Sequence, residues 1–285
     1  MNIGVDLGGT KIRAGIELNG SIIKQETVLL RQKDSLSATL KQLIELIRPL
    51  MAYSVNSIGI GVPSVVDTKR GIVYNVTNIP SWEEVALRDI LYEEFNLPVF
   101  INNDVNCFTL GEHRFGVAQG FHSLVGITLG TGLGSGIVIN DQLYMGNNCG
   151  AGEIGLLPYL DKNFEYYACN NFFELVHGIT ALAANEAALA GDKKAIALWE
   201  QFGIHLGSTI KAIMYAYDPE AIVLGGSLAK AYPFFEQGMY ETLNDFSFPE
   251  SLKRIKILQS QDENIALLGA AALIPQKLNE YVLKG

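Results

Sequence analysis

The apolar positions of this chain change period repeatedly, and the changes mark its elements. Residues 2–7 (NIGVDL) and 12–18 (IRAGIEL) are β-like runs joined through Gly8-Gly9-Thr10-Lys11, and Asn19-Gly20 turns the chain into a third run over 21–27. The chain is therefore expected to open with antiparallel hairpins. From Leu36, apolar residues fall at 36, 40, 43, 44, 47, 50 and 51, a helical spacing, with Ser35 placed to cap the helix. Apolar runs at 57–62 and 99–102 flank a helical stretch near 83–95, and this β-α-β alternation predicts parallel strands in a shared sheet. Further on, 202–217 reads as a helix, 221–224 as a buried strand and 265–273 as an Ala-rich helix. The whole is the pattern of an α/β protein.

An internal repeat organises these elements. GVDLGGTKIRAGIELNG at 4–20 returns as GITLGTGLGSGIVINDQ at 126–142, with Gly4, Leu7 and Gly8 matched by Gly126, Leu129 and Gly130. Each copy is a strand, a Gly-rich turn, a second strand and a closing turn. The offset of 122 residues is the size of a domain rather than of a solenoid repeat. Two similar domains facing each other across a central cleft are the expectation, and 285 residues suit two domains. Two unrelated Gly-rich hairpins would give the same local pattern.

Composition narrows the function. With 48% hydrophobic residues the chain can bury a sizeable core. Thirty acidic residues against 21 basic ones leave a net charge of −9, and no Lys/Arg cluster stands out, so a nucleic-acid partner has little electrostatic support. Apolar stretches break well short of the ~20 residues a bilayer span needs. MNIGVDLGG lacks the basic and apolar regions of a secretory leader, and Cys107, Cys149 and Cys169 form no disulfide framework. The expectation is a cytoplasmic protein without a membrane partner.

Glycine-rich turns let backbone N–H groups approach an anion with no Cβ in the way. Neither turn is a Walker A loop, since GxxxxGK[ST] is absent, and neither is a Rossmann fingerprint, since each leads into a strand. Either turn alone equally reads as a tight hairpin. Gly225-Gly226-Ser227, after the run AIVL, could lie against an adenine and ribose or merely end the strand.

DLGGTK at 6–11, GVP at 61–63, NND at 102–104, LGTGLGSG at 129–136, GEIG at 152–155 and DPEAIVLGG at 218–226 occur in the order found in the ROK sugar kinases. Over nearly its whole length the chain resembles that family, which belongs to the actin-like ATPase superfamily together with hexokinase. The resemblance implies two ribonuclease H-like domains and phosphoryl transfer from ATP, with Mg²⁺, to a hydroxyl of a hexose or amino sugar. Asp6, Gly8, Gly9, Thr10 and Lys11 match the family's first phosphate loop, with Asp6 on the metal through water. Gly130, Thr131, Gly132 and Gly134 match the second loop, and Gly225 and Gly226 the adenosine motif. Asp104 matches the catalytic base. A carboxylate there would accept the proton that a sugar hydroxyl must lose as the phosphorus–oxygen bond forms. Asn78, Asn103, Asp104, Glu153 and Glu174 match sugar contacts.

The pattern also breaks. Most members carry a His after GEIG and a CxCGxxGC cluster that together bind a structural zinc; here Leu156 stands at the His position and EYYACNNFFE replaces the cluster. Cys169 falls on no ligand position, His113, His122, His177 and His205 show no ligand spacing, and one thiol cannot supply the four ligands zinc takes. No zinc is expected, and Phe164, Tyr166, Tyr167, Phe172 and Phe173 are the candidates to order this segment by packing. Ser64 and Asn102 are smaller departures, where Gly and Glu are usual.

The resulting expectation is a glucokinase-like enzyme making glucose 6-phosphate, with an N-acetylmannosamine or fructose kinase as the alternative in the same class. A sugar-sensing ROK repressor lacking its DNA-binding domain is the alternative of another class; five residues before Asp6 leave no room for that domain. The expected domains are 1–112, completed by a helix over 273–285, and 113–272. The family resemblance implies a homodimer or homotetramer.

Overall fold

In a computed structural model that describes residues 1–274, the three opening runs form the expected antiparallel meander: β1 (Asn2–Leu7), β2 (Lys11–Leu18) and β3 (Ser21–Leu29). Two parallel strands, β4 (Ile58–Val62) and β5 (Val99–Asn103), extend the sheet to the order β3-β2-β1-β4-β5. β4 is buried at all five positions, as a strand covered on both faces must be. α1 (Leu36–Ile47) begins where Ser35 Oγ accepts the Ala38 N–H at 3.3 Å. The helix expected to reach residue 51 tightens into a 3₁₀ turn over Arg48–Ala52, because Pro49 has no N–H to donate. α2 (Asp104–Arg114) follows β5 directly.

The helix Ile265–Ala271 lies against β1, β4 and α2 at unusually close range. A Cβ on Gly4 would stand 2.0 Å from the Leu267 carbonyl oxygen, one on Gly59 1.8 Å from that of Ala270, and one on Gly111 2.1 Å from that of Ile265. Three glycines thus admit this helix, Gly4 and Gly59 onto the strands and Gly111 onto α2. The helix expected over 273–285 lies outside the described residues.

The second repeat builds a second sheet of the same order. β6 (Leu124–Leu129) and β7 (Leu133–Ile139) pair antiparallel, β8 (Gln142–Leu143) follows, and β9 (Ala221–Gly225) and β10 (Lys256–Gln259) add in parallel, giving β8-β7-β6-β9-β10. Its helices include α3 (Ala181–Leu189), α4 (Lys193–Tyr217) and α5 (Tyr232–Leu243). α4 starts nine residues before the apolar run at 202 suggests, because Asp192 accepts the N–H groups of Lys194 and Ala195 at 2.8 and 2.9 Å.

Each sheet belongs to its own compact unit. Unit 1 holds Met1–Gln119, Leu143–Ala151 and the described residues from Gln261; unit 2 holds Gly120–Gln142 and Gly152–Ser260. The expected boundaries fall after 112 and after 272, whereas here the stretch 265–271 lies with unit 1 because the glycines that receive it are there.

Candidate active site

In unit 1 the three parallel strands run in register, with Asp6 opposite Gly61 and Gly61 opposite Asn102. Their carboxyl ends, where open α/β sheets bind ligands, present Asp6, the Gly8–Lys11 turn, Asn103 and Asp104 along one edge. Asp6 Oδ2 accepts from Arg13 Nη2 at 2.7 Å and Nε at 3.1 Å, Arg13 being its partner across the hairpin. Arg13 Nη1 also donates to the Glu263 carbonyl at 2.8 Å. In the turn, the Gly8 N–H donates to Lys11 O at 3.0 Å, while Thr10 and Lys11 are exposed. Lys33 Nζ donates to the Gly9 carbonyl. Asn78, in the left-handed region at φ 64°, packs on Gly9, where a Cβ would stand 2.8 Å from its own.

Asn103 caps α2, accepting the Val105 and Asn106 N–H groups at 2.9 and 3.3 Å, and its amide donates to Ser64 O at 3.3 Å. Asp104 is the first residue of that helix, so a negative charge there meets the positive end of the helix dipole. One turn on, burial pushes the Cys107 thiol well up, and the charges of Asp104 and Asp6 add to the effect. Asn102, 3% exposed, accepts from the Asn103 N–H, Asn106 Nδ2 and Cys149 Sγ and donates to Met145 Sδ. It ties the 143–151 segment to the strand that delivers Asp104.

In unit 2 the turn between β6 and β7 is closed by the Gly130 N–H donating to Gly132 O at 3.0 Å, and Gly134 lies opposite Thr128. Gly225 also lies opposite Thr128, from β9. Gly226, at φ 86°, sits where a Cβ would meet the Leu129 carbonyl oxygen at 2.3 Å. Both glycine motifs therefore meet at the ends of adjacent strands. They open on a cavity of about 420 Å³ lined by Gly130, Thr131, Ser227, Lys230, Trp199 and Glu174, among others. Trp199 is 1% exposed, and its indole N–H has no partner among the described residues.

Glu174 is exposed on a π-type turn over Phe172–Val176 and accepts from Asn170 Nδ2 at 2.6 Å. It lines the cavity beside the glycine motifs, whereas Glu153 does not. Glu153 lies in the Gly152–Gly155 stretch, and partial burial followed by the charge of Glu165 holds its carboxyl above the usual range. Glu165 itself accepts the Leu133 N–H on Oε2 at 2.9 Å.

The segment without zinc ligands is packed by rings. Phe172 and Phe173 have no exposure; Phe173 packs tilted against Trp199 with centroids 4.4 Å apart, and Tyr159 stacks at 4.5 Å on Phe164. His205 accepts from or donates to Tyr159 Oη at 3.1 Å, and burial, then His177, lowers its affinity for a proton. The buried Cys169 thiol, pushed up to about 12 by burial, donates to Thr131 O at 3.3 Å. Leu156 is exposed. Among the described residues no group of three or more His, Cys, Asp or Glu side chains gathers as a metal cluster would.

Arg13, Lys33, Trp199 and Glu165 are the site residues that sequence reasoning does not single out. Counting back across the β1–β2 hairpin could have found Arg13, which the register sets opposite Asp6.

Residues 2–277 match the ROK family, and the chain belongs to it. It is 26% identical to a glucokinase of Thermotoga maritima over 97% of this chain and 98% of that one. It is 27% identical to a xylose repressor of Bacillus spizizenii over 99% of this chain and 78% of the repressor. Among solved structures, a ROK family glucokinase from Streptomyces griseus in complex with glucose and AMPPNP is 27% identical, with a TM-score of 0.81 over 95% of this chain and 98% of that one. The fold is thus the mixed α/β fold of ROK sugar kinases, within the actin-like ATPase superfamily. No described helix is long and apolar enough to cross a membrane.

Proposed function

We propose that this member of the ROK family is an ATP-dependent sugar kinase of the cytoplasm that converts glucose to glucose 6-phosphate. One observation carries the reading: the cavity in unit 2, about 420 Å³, bounded by Gly130 and Thr131 of one glycine turn and by Ser227 after the other. A nucleotide-sized space with backbone N–H groups at one end suits a base and its phosphates, and the buried indole N–H of Trp199 is a donor in its lining. The likeness to glucokinases supports the sugar as acceptor.

In this reading Gly130, Thr131, Gly132 and Gly134 hold phosphate oxygens, Gly225 and Gly226 lie against the adenosine, and Gly8, Gly9, Thr10 and Lys11 form the first phosphate loop. The donor set suits Mg²⁺, a hard cation that keeps several waters and takes one or two carboxylates beside phosphate oxygens. Asp6 would hold it through water, with Arg13 fixing the carboxylate, and the bound ion would neutralise charge on the phosphates. Asp104 accepts the hydroxyl proton, oriented by its place at the start of α2. Asn78, Asn103, Glu153 and Glu174 bind the other hydroxyls, so an epimer leaves a polar group unpaired. The protein works as a homodimer or homotetramer.

A second reading, a sugar sensor without catalysis, is favoured by the likeness to the xylose repressor. Coupled ADP release across hexoses and N-acetylhexosamines separates the two. Turnover on glucose is expected, and an Asp104→Asn variant should keep sugar affinity while losing about 10²–10⁴-fold in kcat. Sugar binding without turnover on any member of the panel would support the sensor instead.

A further inference from the structure

We propose that Glu165 tunes the phosphate affinity of the second glycine turn, strapping the turn with one oxygen while its charge opposes the anion the turn receives. This rests on the nucleotide reading above. Three neighbouring groups of the 165–170 segment hold the turn. The Asn170 N–H donates to Gly130 O at 3.0 Å, and Cys169 Sγ donates to Thr131 O at 3.3 Å. Both are neutral donors on carbonyls, groups that a phosphate would not use. Glu165 differs on both counts. It is anionic, and its Oε2 takes the Leu133 N–H at 2.9 Å, the kind of backbone donor that glycine turns offer to phosphate oxygens.

One glycine makes room for this carboxylate: a Cβ on Gly132 would stand 2.5 Å from Glu165 Oε2. The Gly132 position, carried over as a phosphate-loop glycine, thus also seats a side chain of the protein itself. Its charge reaches further, since it contributes to the raised proton affinity of Glu153. The first turn is strapped with the opposite sign, by Lys33 on the Gly9 carbonyl.

Glu165→Gln keeps the acceptor oxygen and the volume and removes the charge. Affinity should rise with the number of phosphates: unchanged for adenosine, and about three- to tenfold tighter for ATP at low salt, with the gain shrinking as salt is added. Glu165→Ala removes the strap as well, so the readout is the ratio of adenosine to ATP dissociation constants, which cancels general damage to the fold. Calorimetry on the full chain with adenosine, ADP and ATP, all in chelator, measures it. Glu165→Gln is expected to raise the ratio, and Glu165→Ala to raise it less, because the turn it leaves unstrapped holds phosphate more loosely. A wild-type protein that binds none of the three ligands overturns the nucleotide reading and the inference with it. A wild type that binds them, with the ratio unchanged or lowered in Glu165→Gln, or raised as much in Glu165→Ala as in Glu165→Gln, overturns the role of Glu165 alone.

Discussion

Phe172→Ala should be among the most damaging single changes in unit 2. The ring is wholly buried and touches four others, with centroids 4.7 Å from His177, 5.1 Å from Phe173, 5.5 Å from His205 and 5.9 Å from Phe202. Truncating a buried Phe removes its transfer free energy and leaves a cavity, about 3–5 kcal/mol together. Against a domain stability of about 5–15 kcal/mol that is a large fraction. The shape-tolerant Phe172→Leu should lose less than half as much. Urea unfolding followed by fluorescence reports it, since Trp199 packs on Phe173 in the same core. The damage should reach ligands too. The Phe172 N–H bonds Cys169 O at 3.1 Å, and Asn170 and Glu174 on either side line the cavity. Nucleotide affinity should therefore fall along with sugar affinity. A loss below about 1 kcal/mol in Phe172→Ala would refute the idea that rings order this segment in place of a metal.

Gly132→Val should impair ATP binding by calorimetry, because a Val side chain obstructs backbone approach to the phosphates, while Gly130→Ala is tolerated, since a Cβ there meets nothing within 4 Å. The carboxyl of Glu153, held above its ordinary 4.5, costs stability once pH rises past that value. Glu153→Gln should accordingly raise the melting temperature at pH 7, lose that gain below about pH 4, and weaken sugar binding. Elemental analysis should find no stoichiometric zinc, and melting should be unaffected by excess chelator; about one zinc per chain after dialysis would overturn the ligand count. His205, whose proton affinity is lowered by burial, favours the fold above its ordinary 6.5 and opposes it as pH falls below, so His205→Gln should flatten the melting profile between about pH 6.5 and 5.

The strands bearing the glycine turns were legible because two signals coincide there, apolar runs and glycine spacing, and the repeat carries both. The equal strand order of the two sheets follows from it. The turns nevertheless differ: Leu7 pairs with Ile12 across four residues, and Leu129 with Leu133 across three. The straps were not legible for a different reason. Lys33 and Glu165 reach the turns from distant sequence, and nothing in periodicity marks a side chain whose role is to meet a backbone atom elsewhere. The first turns of α4 precede the apolar run at 202, and only the cap Asp192 marks them in the sequence.

The chain passes between the two units four times, and unit 1 is not complete until the helix Ile265–Ala271 settles on Gly4, Gly59 and Gly111. That dictates an order of events at the ribosome. At about 5–20 residues per second, β1 to β5 wait on the order of ten seconds or more for their covering helix. Every residue of unit 2 has been made by Ser260, before that helix begins. The part synthesised later is thus free to finish folding first, and the early strands, with β4 apolar on its Ile58, Ile60 and Val62 face and left uncovered on its Gly59 face, are the stretch most in need of a chaperone's protection from aggregation.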